Sequence, residues 1–323
     1  MLFTFLALSL SKPLVSASEE RSFVLWMRNN NQIFVGNEYH FRLGVWLTNQ
    51  NYVRQHNSQK KSFKLSMNSL AHLTPSEYRS LLNFRTHAQN IRPTAIPTQI
   101  KNFKVEEGLD LRTLGHVNPI QNCGACPAAW AFTTAAIFES SNVKYHQTLY
   151  KFSEQFLIDC VSSCQGCDGG DYYDAVDFVF QTYSGGMMKL SDYPYKESQG
   201  TCKVDKSKLV GDLHIKTFVD EPQNDDIALN YFVGFYKVVA ACNVDADHAS
   251  FQLYYSGVYD EPNCNPNDLN YLVNCVGYGT STEDIPYFII RNNWGKSWGE
   301  EGYIRMLRGS NQCGLSNRFM VLD

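Results

Sequence analysis

The strongest candidate nucleophiles in this sequence are Cys123 and Cys126, which directly precede an apolar stretch that predicts a buried helix from Ala128 to about Lys144. Pro127 suits the first turn of that helix, because its missing N–H would have no partner there. A cysteine attacks as its thiolate, and the positive end of a helix dipole favours a negative charge at this place. Such chemistry also needs a general base, most often a histidine.

The histidines that come closest to that role have plainer interpretations. His248 follows Asp245-Ala246-Asp247 at the entry to a short helix, where we predict a solvated or capping residue. His116 lies ahead of the cysteines on a strand-like stretch. Neither histidine is therefore an evident base for a nucleophilic thiol.

The elements that would position these residues change in character along the chain. From Arg21 to about Leu82 apolar residues recur at helical spacing, and Thr74-Pro75-Ser76-Glu77 predicts a helix start with Thr74 as N-cap. The stretch from Arg85 to Lys104 carries two prolines and no clear period, which predicts an exposed linker. Further helices are expected after Ser153 and near Tyr172 to Phe180.

After about Gly211 the pattern changes to short apolar runs that predict strands, at residues 238–241, 272–276, 287–290 and 303–306. Helices followed by strands predict an α+β fold of two subdomains, with the cleft between them as the expected site.

Composition limits the classes of function. The chain has 323 residues, a net charge of −4 and no long run of Lys and Arg, so nothing in its charge favours nucleic acid or anionic lipid. All ten cysteines lie beyond residue 120, which indicates an oxidising compartment. The apolar run of the first ten residues leads to small residues up to Ala17, which predicts a signal peptide over residues 1–17. We find no later segment of transmembrane length and no metal or cofactor motif.

The cysteine-free first third resembles the inhibitory pro-region of papain-like cysteine peptidases of the cathepsin L type. The family pattern E-x3-R-x2-V-F-x2-N-x3-I-x3-N is met by Glu38, Arg42, Val45, Trp46, Asn49, Val53 and Asn57. A second family motif, N-x-F-A-D-L-T, corresponds to residues 68–74, with Leu70 for Phe and His72 for Asp. We call residues 18–105 the pro-region and expect it to be helical.

The rest of the chain resembles the peptidase domain itself. Residues 110–117 match its N-terminal motif, residues 153–160 and 166–170 its helical half, and residues 250–259 and 292–299 its barrel half. The resemblance implies a papain-like domain over residues 106–323, with a helical subdomain at 106–211 and a β-barrel subdomain at 212–323.

The catalytic positions depart from the family. Read without gaps from Asp110 to Phe132, the alignment places Ala129 at the nucleophile position and Cys123 at the position of the oxyanion Gln. A second gap-free stretch, residues 269–279, places Tyr271 at the position of the catalytic His. Asn292, which orients that His in the family, and its shielding neighbour Trp294 are retained. A methyl group cannot attack a carbonyl, and a phenol with a pKa near 10 is a poor base at neutral pH.

An alternative alignment reads residues 121–126 as the nucleophile motif with one residue missing, which would make Cys126 the nucleophile. It requires two shortenings and a compensating insertion of three helical residues, which displaces the thiol by about 4.5 Å. Catalytic geometry does not tolerate such an error. We therefore favour Ala129.

The resemblance implies three disulfides, Cys126–Cys167, Cys160–Cys202 and Cys264–Cys313. Cys242 and Cys275 fall in apolar strands and are expected to be buried free thiols. For Cys123 and Cys164, an additional bridge and two unpaired thiols remain equal alternatives.

Gly169 and Gly170 match the loop whose backbone pairs with extended substrate in the family, a mode of binding that does not need a nucleophile. Tyr271 and Leu272 would add bulk to the cleft floor. The leading hypothesis is a secreted or lysosome-like monomer without peptidase activity, which binds peptides, proteins or protease inhibitors in the cleft between the subdomains. The alternative is an active endopeptidase that uses Cys126, and a third hypothesis is a product without function.

Overall fold

The computed structural model describes residues 15–85, 106–213, 216–220 and 226–322. Most of the predicted signal peptide and of the predicted linker therefore lies outside the described residues. Within them the helices are α1 (Ala17–Asn29), α2 (Gly36–Asn57), α3 (Pro75–Arg79), α4 (Ala129–His146), α5 (Glu154–Cys160), α6 (Tyr172–Tyr183), α7 (Ile227–Tyr236) and α8 (Ala249–Gln252). The strands are β1 (Phe63–Leu65), β2 (Leu109–Asp110), β3 (Lys216–Asp220), β4 (Ala240–Val244), β5 (Tyr254–Tyr259), β6 (Tyr271–Thr280), β7 (Pro286–Arg291), β8 (Tyr303–Leu307) and β9 (Arg318–Leu322).

The two long helices of the pro-region pack through aromatic side chains. The Phe23 ring of α1 lies 5.6 Å from that of Trp46 on α2, and both side chains are buried. Trp26 is also buried, and its indole N–H donates to the carbonyls of Met67 and Asn68 at 3.1 and 3.0 Å. The polar edge of a buried indole needs such an acceptor, so Trp26 fixes the following chain against α1.

The polar residues of the pro-region motif hold α2 to the chain that follows it. The Arg42 guanidinium bonds to Glu38 and to Glu77 of α3, each at 2.6 Å. Asn49 Nδ2 donates to the Ala71 carbonyl at 2.9 Å. The spaced motif thus marks one face of a helix, because residues three and four apart share a face.

Asn57, the last motif residue, positions a strand that links the pro-region to the peptidase domain. Its amide bonds to both backbone groups of Leu65 in β1, at 2.8 and 3.0 Å. β1 then pairs antiparallel with β5, with Phe63 opposite Gly257. A Cβ at Gly257 would lie 2.3 Å from the Ser62 carbonyl oxygen, and the residue has φ of +97°, so glycine is required for this close approach.

The helical subdomain is built around α4, which is buried over most of its circumference. Trp130, at its second position, is fully buried and donates from its indole to the Gly166 carbonyl at 2.9 Å. Asn274 Nδ2 of β6 donates to the Thr133 carbonyl at 3.1 Å and so ties the barrel half to α4. This contact fixes how the two walls of the cleft face each other.

The strands form one sheet in the order β1-β5-β8-β7-β6-β4-β9-β3, with β2 paired on β6. Neighbouring strands are antiparallel except β5 and β8, which are parallel. β6 is buried along nearly its whole length and therefore carries its first residue, Tyr271, at the edge of a rigid element.

The structure confirms one sequence prediction about these elements and corrects three. The N-cap at Thr74 is confirmed, with a reciprocal bond to Glu77. The helical pattern up to Leu82 missed β1, which forms because β5 offers it a partner. α7 was also missed, because its aromatic and β-branched residues favour strands and tertiary packing overrides that preference. His116 lies beyond a turn at residues 111–115 rather than on a strand.

Candidate active-site cleft

Ala129 is the first residue of α4, at the place where a nucleophile would benefit from the helix dipole. Its methyl group is 4% exposed, and the preceding Ala128 caps the helix without a side-chain hydrogen bond. The position is thus built as a helix start but carries no reactive atom.

Tyr271, the first residue of β6, is buried, with 1% of its surface exposed. Its hydroxyl lies 2.9 Å from Asn292 Oδ1 and 3.1 Å from Asn293 Oδ1, either of which can accept its proton. Asn292 Oδ1 also accepts from the Asn293 backbone N–H at 2.8 Å, which fixes the orientation of that amide. The Trp294 ring lies 5.0 Å from the tyrosine ring and covers it.

The phenol therefore donates a hydrogen bond to Asn292. The resemblance implies that an imidazole N–H makes this hydrogen bond in the family. Burial, with a smaller contribution from nearby Cys123, raises the pKa of Tyr271 well above its usual range. At neutral pH the side chain is a hydrogen-bond donor that cannot accept a proton from a thiol. Asn292 Nδ2 is buried and has no hydrogen-bond partner among the described residues.

Cys123, at the position of the oxyanion amide, is held beside these asparagines. Its backbone N–H donates to the Asn293 carbonyl at 2.9 Å, and its own carbonyl accepts from the Tyr195 hydroxyl at 2.6 Å. The thiol is 3% exposed, and burial raises its pKa to about 12. Such a thiol is neutral at pH 7 and is a poor nucleophile.

The cysteines pair as the resemblance implies, in the bridges Cys126–Cys167, Cys160–Cys202 and Cys264–Cys313. As a half-cystine, Cys126 has no thiol to ionise. Cys242 and Cys275 are buried free thiols, as predicted. Cys123 and Cys164 are also unpaired, so the additional bridge between them is not formed.

His248 has a structural partner rather than a catalytic one. Its Nε2 lies 2.9 Å from Asp245 Oδ2, and the hydrogen bond to this carboxylate raises its pKa. It occupies the N-cap position of α8, as predicted, but its side chain makes no capping bond. Cys264 lies near this pair, but its sulfur is bonded to Cys313, so the three residues lack the thiolate that a metal would need. His116 Nδ1 bonds to the Lys237 carbonyl at 2.8 Å.

A cavity of about 700 Å³ separates the two walls of the cleft. Ala125 and Pro127, just ahead of Ala129, line one side, and Asp268 and Asn270, just ahead of Tyr271, line the other. The residues just ahead of Ala129 and those just ahead of Tyr271 therefore line the same cleft. A larger cavity of about 910 Å³ lies around residues 106–112 and contains none of the predicted site residues.

The pro-region covers the barrel side of this cleft. Tyr78 of α3 is 2% exposed, donates its hydroxyl proton to the Ala246 carbonyl at 2.7 Å and packs its ring 5.9 Å from Trp294. Arg79 Nε bonds to Asp247 Oδ2 at 2.7 Å. The pro-region thus contacts the same tryptophan that shields Tyr271.

The pro-region then crosses to the glycine loop on the helical side. Residues 82–85, here called the groove segment, form a parallel bridge between Phe84 and Gly170, and Asn83 Nδ2 donates to the Cys167 carbonyl at 2.8 Å. Gly169 has φ of +123°, and a Cβ there would lie 2.4 Å from the Asn83 carbonyl oxygen. Gly169 therefore permits close backbone approach, the property that peptide binding at this loop requires, whereas a Cβ at Gly170 would lie 2.7 Å from Cys164 Sγ.

The sequence-predicted positions Ala129, Cys123, Tyr271, Asn292 and Trp294 thus gather at one cleft, with Gly169 and Gly170 along it. Three contributors were missed. Asn293 is a second acceptor for Tyr271, and Tyr78 and Phe84 reach the cleft from the pro-region. The N-cap signal at Thr74 placed the helix of Tyr78, but no sequence pattern indicated which of its faces meets the cleft.

The protein has a helical subdomain and a barrel subdomain, and its own N-terminal extension lies across the cleft between them. Precursors of two-subdomain peptidases have this arrangement. Residues 105–322 match the family described as "Papain family cysteine protease". Residues 23–78 match the family described as "Cathepsin propeptide inhibitor domain (I29)". The chain belongs to the papain family of cysteine proteases and carries the propeptide domain of the cathepsins.

Relatives agree with this assignment over most of the chain. The chain is 32% identical to "Procathepsin L" of Rattus norvegicus over 303 residues, which cover 90% of this chain and 88% of the relative. It is also 32% identical to "Cathepsin L1" of Drosophila melanogaster over 318 residues, 94% of this chain and 84% of that protein. The solved digestive procathepsin L2 proteinase from Tenebrio molitor larval midgut is similar at a TM-score of 0.86 and 27% identity, covering 94% of this chain and 99% of that one.

Proposed function

We propose that this papain-family protein is a pseudopeptidase, which binds peptide or protein segments in its cleft without cleaving them. The observation that carries the proposal is that the nucleophile position holds Ala129 and the base position holds Tyr271. In a comparable catalytic triad, losing either group costs on the order of a million-fold in turnover, and losing both costs little more.

The surroundings of Tyr271 support a stable replacement of the base. Its hydroxyl has acceptors in Asn292 and Asn293, and its ring packs against Trp294. A buried phenol without acceptors would be costly, so the retained asparagine now has a structural task. This explains why Asn292 is retained although the chain has no imidazole at position 271 for it to orient.

The remaining thiols give little support to the alternative of an active peptidase. Cys126 is bonded to Cys167, and Cys123 is buried with a pKa of about 12. Use of either residue would require reduction or rearrangement of the cleft wall. The alternative predicts covalent labelling of one of these two cysteines.

The groove supports retained binding. The groove segment occupies the Gly169-Gly170 edge through backbone contacts that need neither nucleophile nor base. Within the described residues, no helix has the length and apolar character to cross a membrane. We place the protein, as a monomer, outside the cell or in a lysosome-like compartment, with a signal peptide over residues 1–17 and a pro-region that ends near residue 105. Partners are peptides, proteins or protease inhibitors.

The test is the intact mass of the protein, after proteolytic removal of the pro-region, following exposure to an epoxysuccinyl peptide inhibitor at mildly acidic pH. A control carries Cys123→Gln, Ala129→Cys and Tyr271→His together. We expect only the control to gain the mass of the inhibitor. Labelling of the natural protein on Cys126 or Cys123 would overturn the assignment of an inactive site.

A further inference from the structure

A small cavity lies beside the asparagines of the cleft floor. The space in it that is open to the centre of a water molecule is about 10 Å³. On this scale a cavity needs about 10–15 Å³ to hold one water, so there is room for a single small ligand. The residues that line it are Gln121, Phe132, Asn274, Arg291, Asn292 and Asn293.

Two buried donors of this lining have no acceptor among the described residues. Arg291, the last residue of β7, is 6% exposed, and its Nε–H makes no hydrogen bond there. Asn292 is 3% exposed, and its Nδ2 makes none either. Buried N–H groups are nearly always paired, because an unpaired one loses its bonds to water and gains nothing in return. Two such groups at one cavity therefore point to an acceptor inside it.

Other hydrogen bonds keep both donors where they are. Asn292 Oδ1 accepts from the Tyr271 hydroxyl at 2.9 Å and from the Asn293 N–H at 2.8 Å. Turning the amide over would place its NH2 group against the Asn293 N–H, donor against donor. The Arg291 guanidinium is held through Nη2, which donates to the Pro119 carbonyl at 3.1 Å. Neither group can therefore turn away from the cavity without breaking these bonds.

The rest of the lining favours a water molecule over an ion. Asn274 donates from Nδ2 to the carbonyls of Thr133 and Ala240, at 3.1 and 3.5 Å, which leaves its Oδ1 as an acceptor. Among the described residues no Asp or Glu lines the cavity, so a metal cation would meet a guanidinium instead of carboxylates. A halide ion could accept from both donors, but it is larger than the single water that this space admits and has no proton for an amide oxygen.

We propose that this cavity binds one water molecule, which accepts from Arg291 Nε and Asn292 Nδ2 and donates to Asn274 Oδ1. Arg291 is then a positioning residue, because it holds Asn292 through the water, and Asn292 in turn accepts from Tyr271. Asn274 also ties β6 to α4, so the water connects the Tyr271 network to the contact between the two subdomains. The inference goes beyond the proposed function, because it holds whether or not the cleft cleaves peptides.

A high-resolution crystal structure of the full-length chain tests the site directly. We expect one density peak that lies within about 2.7–3.2 Å of both Arg291 Nε and Asn292 Nδ2. Crystals grown in sodium bromide instead of sodium chloride distinguish the two sources of such a peak. An anomalous signal at this position would show a halide and overturn the water, and a cavity without density would overturn the site.

Substitutions at Arg291 separate its donor from its charge. Arg291→Gln places an amide nitrogen where Nε lies, and so keeps the donor without the charge. Arg291→Lys keeps the charge but has a methylene at that place, and Arg291→Met has neither. We expect crystals of the Gln variant to retain the water and those of the Lys and Met variants to lack it. Retention with Lys and loss with Gln would indicate an anion and overturn the water, and retention in all three would overturn the role of Arg291.

The positioning role is measured by hydrogen exchange at the Asn293 amide, which donates to Asn292 Oδ1. We expect Arg291→Met to lower its protection on the order of tenfold and Arg291→Gln to lower it much less. The control is the Arg308 amide, which donates to the Pro286 carbonyl at 3.0 Å at the far end of the β7–β8 pair. Equal loss at both amides would indicate a general loosening of the sheet. That result, or unchanged protection of Asn293 in Arg291→Met, would overturn the positioning role.

Discussion

The floor of the cleft and its glycine edge differ in how much of the family pattern they keep. On the floor, Ala129 and Tyr271 stand where a nucleophile and a base are expected, and the tyrosine is locked into hydrogen bonds with two asparagines. At the edge, Gly170 pairs with the groove segment, and Gly169 lies in close contact with the same segment. Catalysis depends on a few reactive atoms, whereas strand-like binding depends on backbone geometry that many contacts maintain. If catalysis is lost, as we propose, binding at the glycine edge can therefore persist.

The largest expected effect tests whether the residues at the cleft floor account for the proposed inactivity. In protein freed of the pro-region, Cys123→Gln, Ala129→Cys and Tyr271→His together should give measurable hydrolysis of a fluorogenic peptide. Ala129→Cys alone and Tyr271→His alone should stay at least about a thousandfold below it, because triad members act as a unit. Hydrolysis by the single variant Ala129→Cys at the rate of the triple variant would contradict this account of Tyr271.

The second effect concerns Cys126 as a structural rather than a reactive residue. Cys126→Ala opens a bridge between residues 41 positions apart in the sequence and should lower the free energy of unfolding by about 4 kcal/mol. Urea denaturation followed by tryptophan fluorescence measures the loss. Cys123→Ala, which removes an unpaired thiol from the same loop, is the control and should cost about 1 kcal/mol. Unchanged stability of Cys126→Ala would indicate that this thiol serves another purpose.

A third, smaller effect isolates the hydroxyl of Tyr271. Tyr271→Phe leaves the amide oxygen of Asn293 without this donor and should lower the free energy of unfolding by about 1–2 kcal/mol. Tyr39→Phe is the matched control, because its hydroxyl bonds at 3.2 Å to an exposed carboxylate that water can also reach. Equal costs for the two variants would mean that the buried network at the cleft floor contributes nothing specific.

The smallest effect concerns how the pro-region responds to acid. The hydrogen bond from Arg42 lowers the pKa of Glu77 from 4.5 to about 2. Because the folded-state value is the lower one, this pair stabilises the fold above about pH 4.5 and loses its contribution as the pH falls toward 2. Glu77 is 37% exposed, so solvent screening limits the contribution to about 1 kcal/mol.

Glu77→Gln should therefore lower stability at pH 6 and have little effect at pH 2, measured by denaturation at both values. Glu38→Gln, whose carboxylate is 51% exposed, should have a smaller effect at pH 6. A Glu77→Gln penalty that is the same at both values would show that the charge of Glu77 is not what links α2 to α3.

By itself the sequence determined the family and most of the helices and strands, though not β1 or α7, and it predicted which catalytic groups are replaced. Fixed spacings are enough for this, because a helix places residues three and four apart on one face and a gap-free match leaves no freedom in position. The same matches indicated the three disulfides and the glycine edge. They also placed Tyr271 and Ala129, and for Ala129 the lack of a reactive atom follows from residue type alone.

Only the tertiary structure decided what surrounds those positions. Tyr271 is inert because it is buried and bonded to Asn292 and Asn293, and burial is a property of the packed molecule. The state of Cys123 and Cys164 depended on geometry that connectivity cannot supply. The contact of Phe84 with Arg318 joins residues more than 200 positions apart, and no local pattern specifies such a pair. The sequence determines which side chains are present, and the packing of the folded chain determines which of them come into contact.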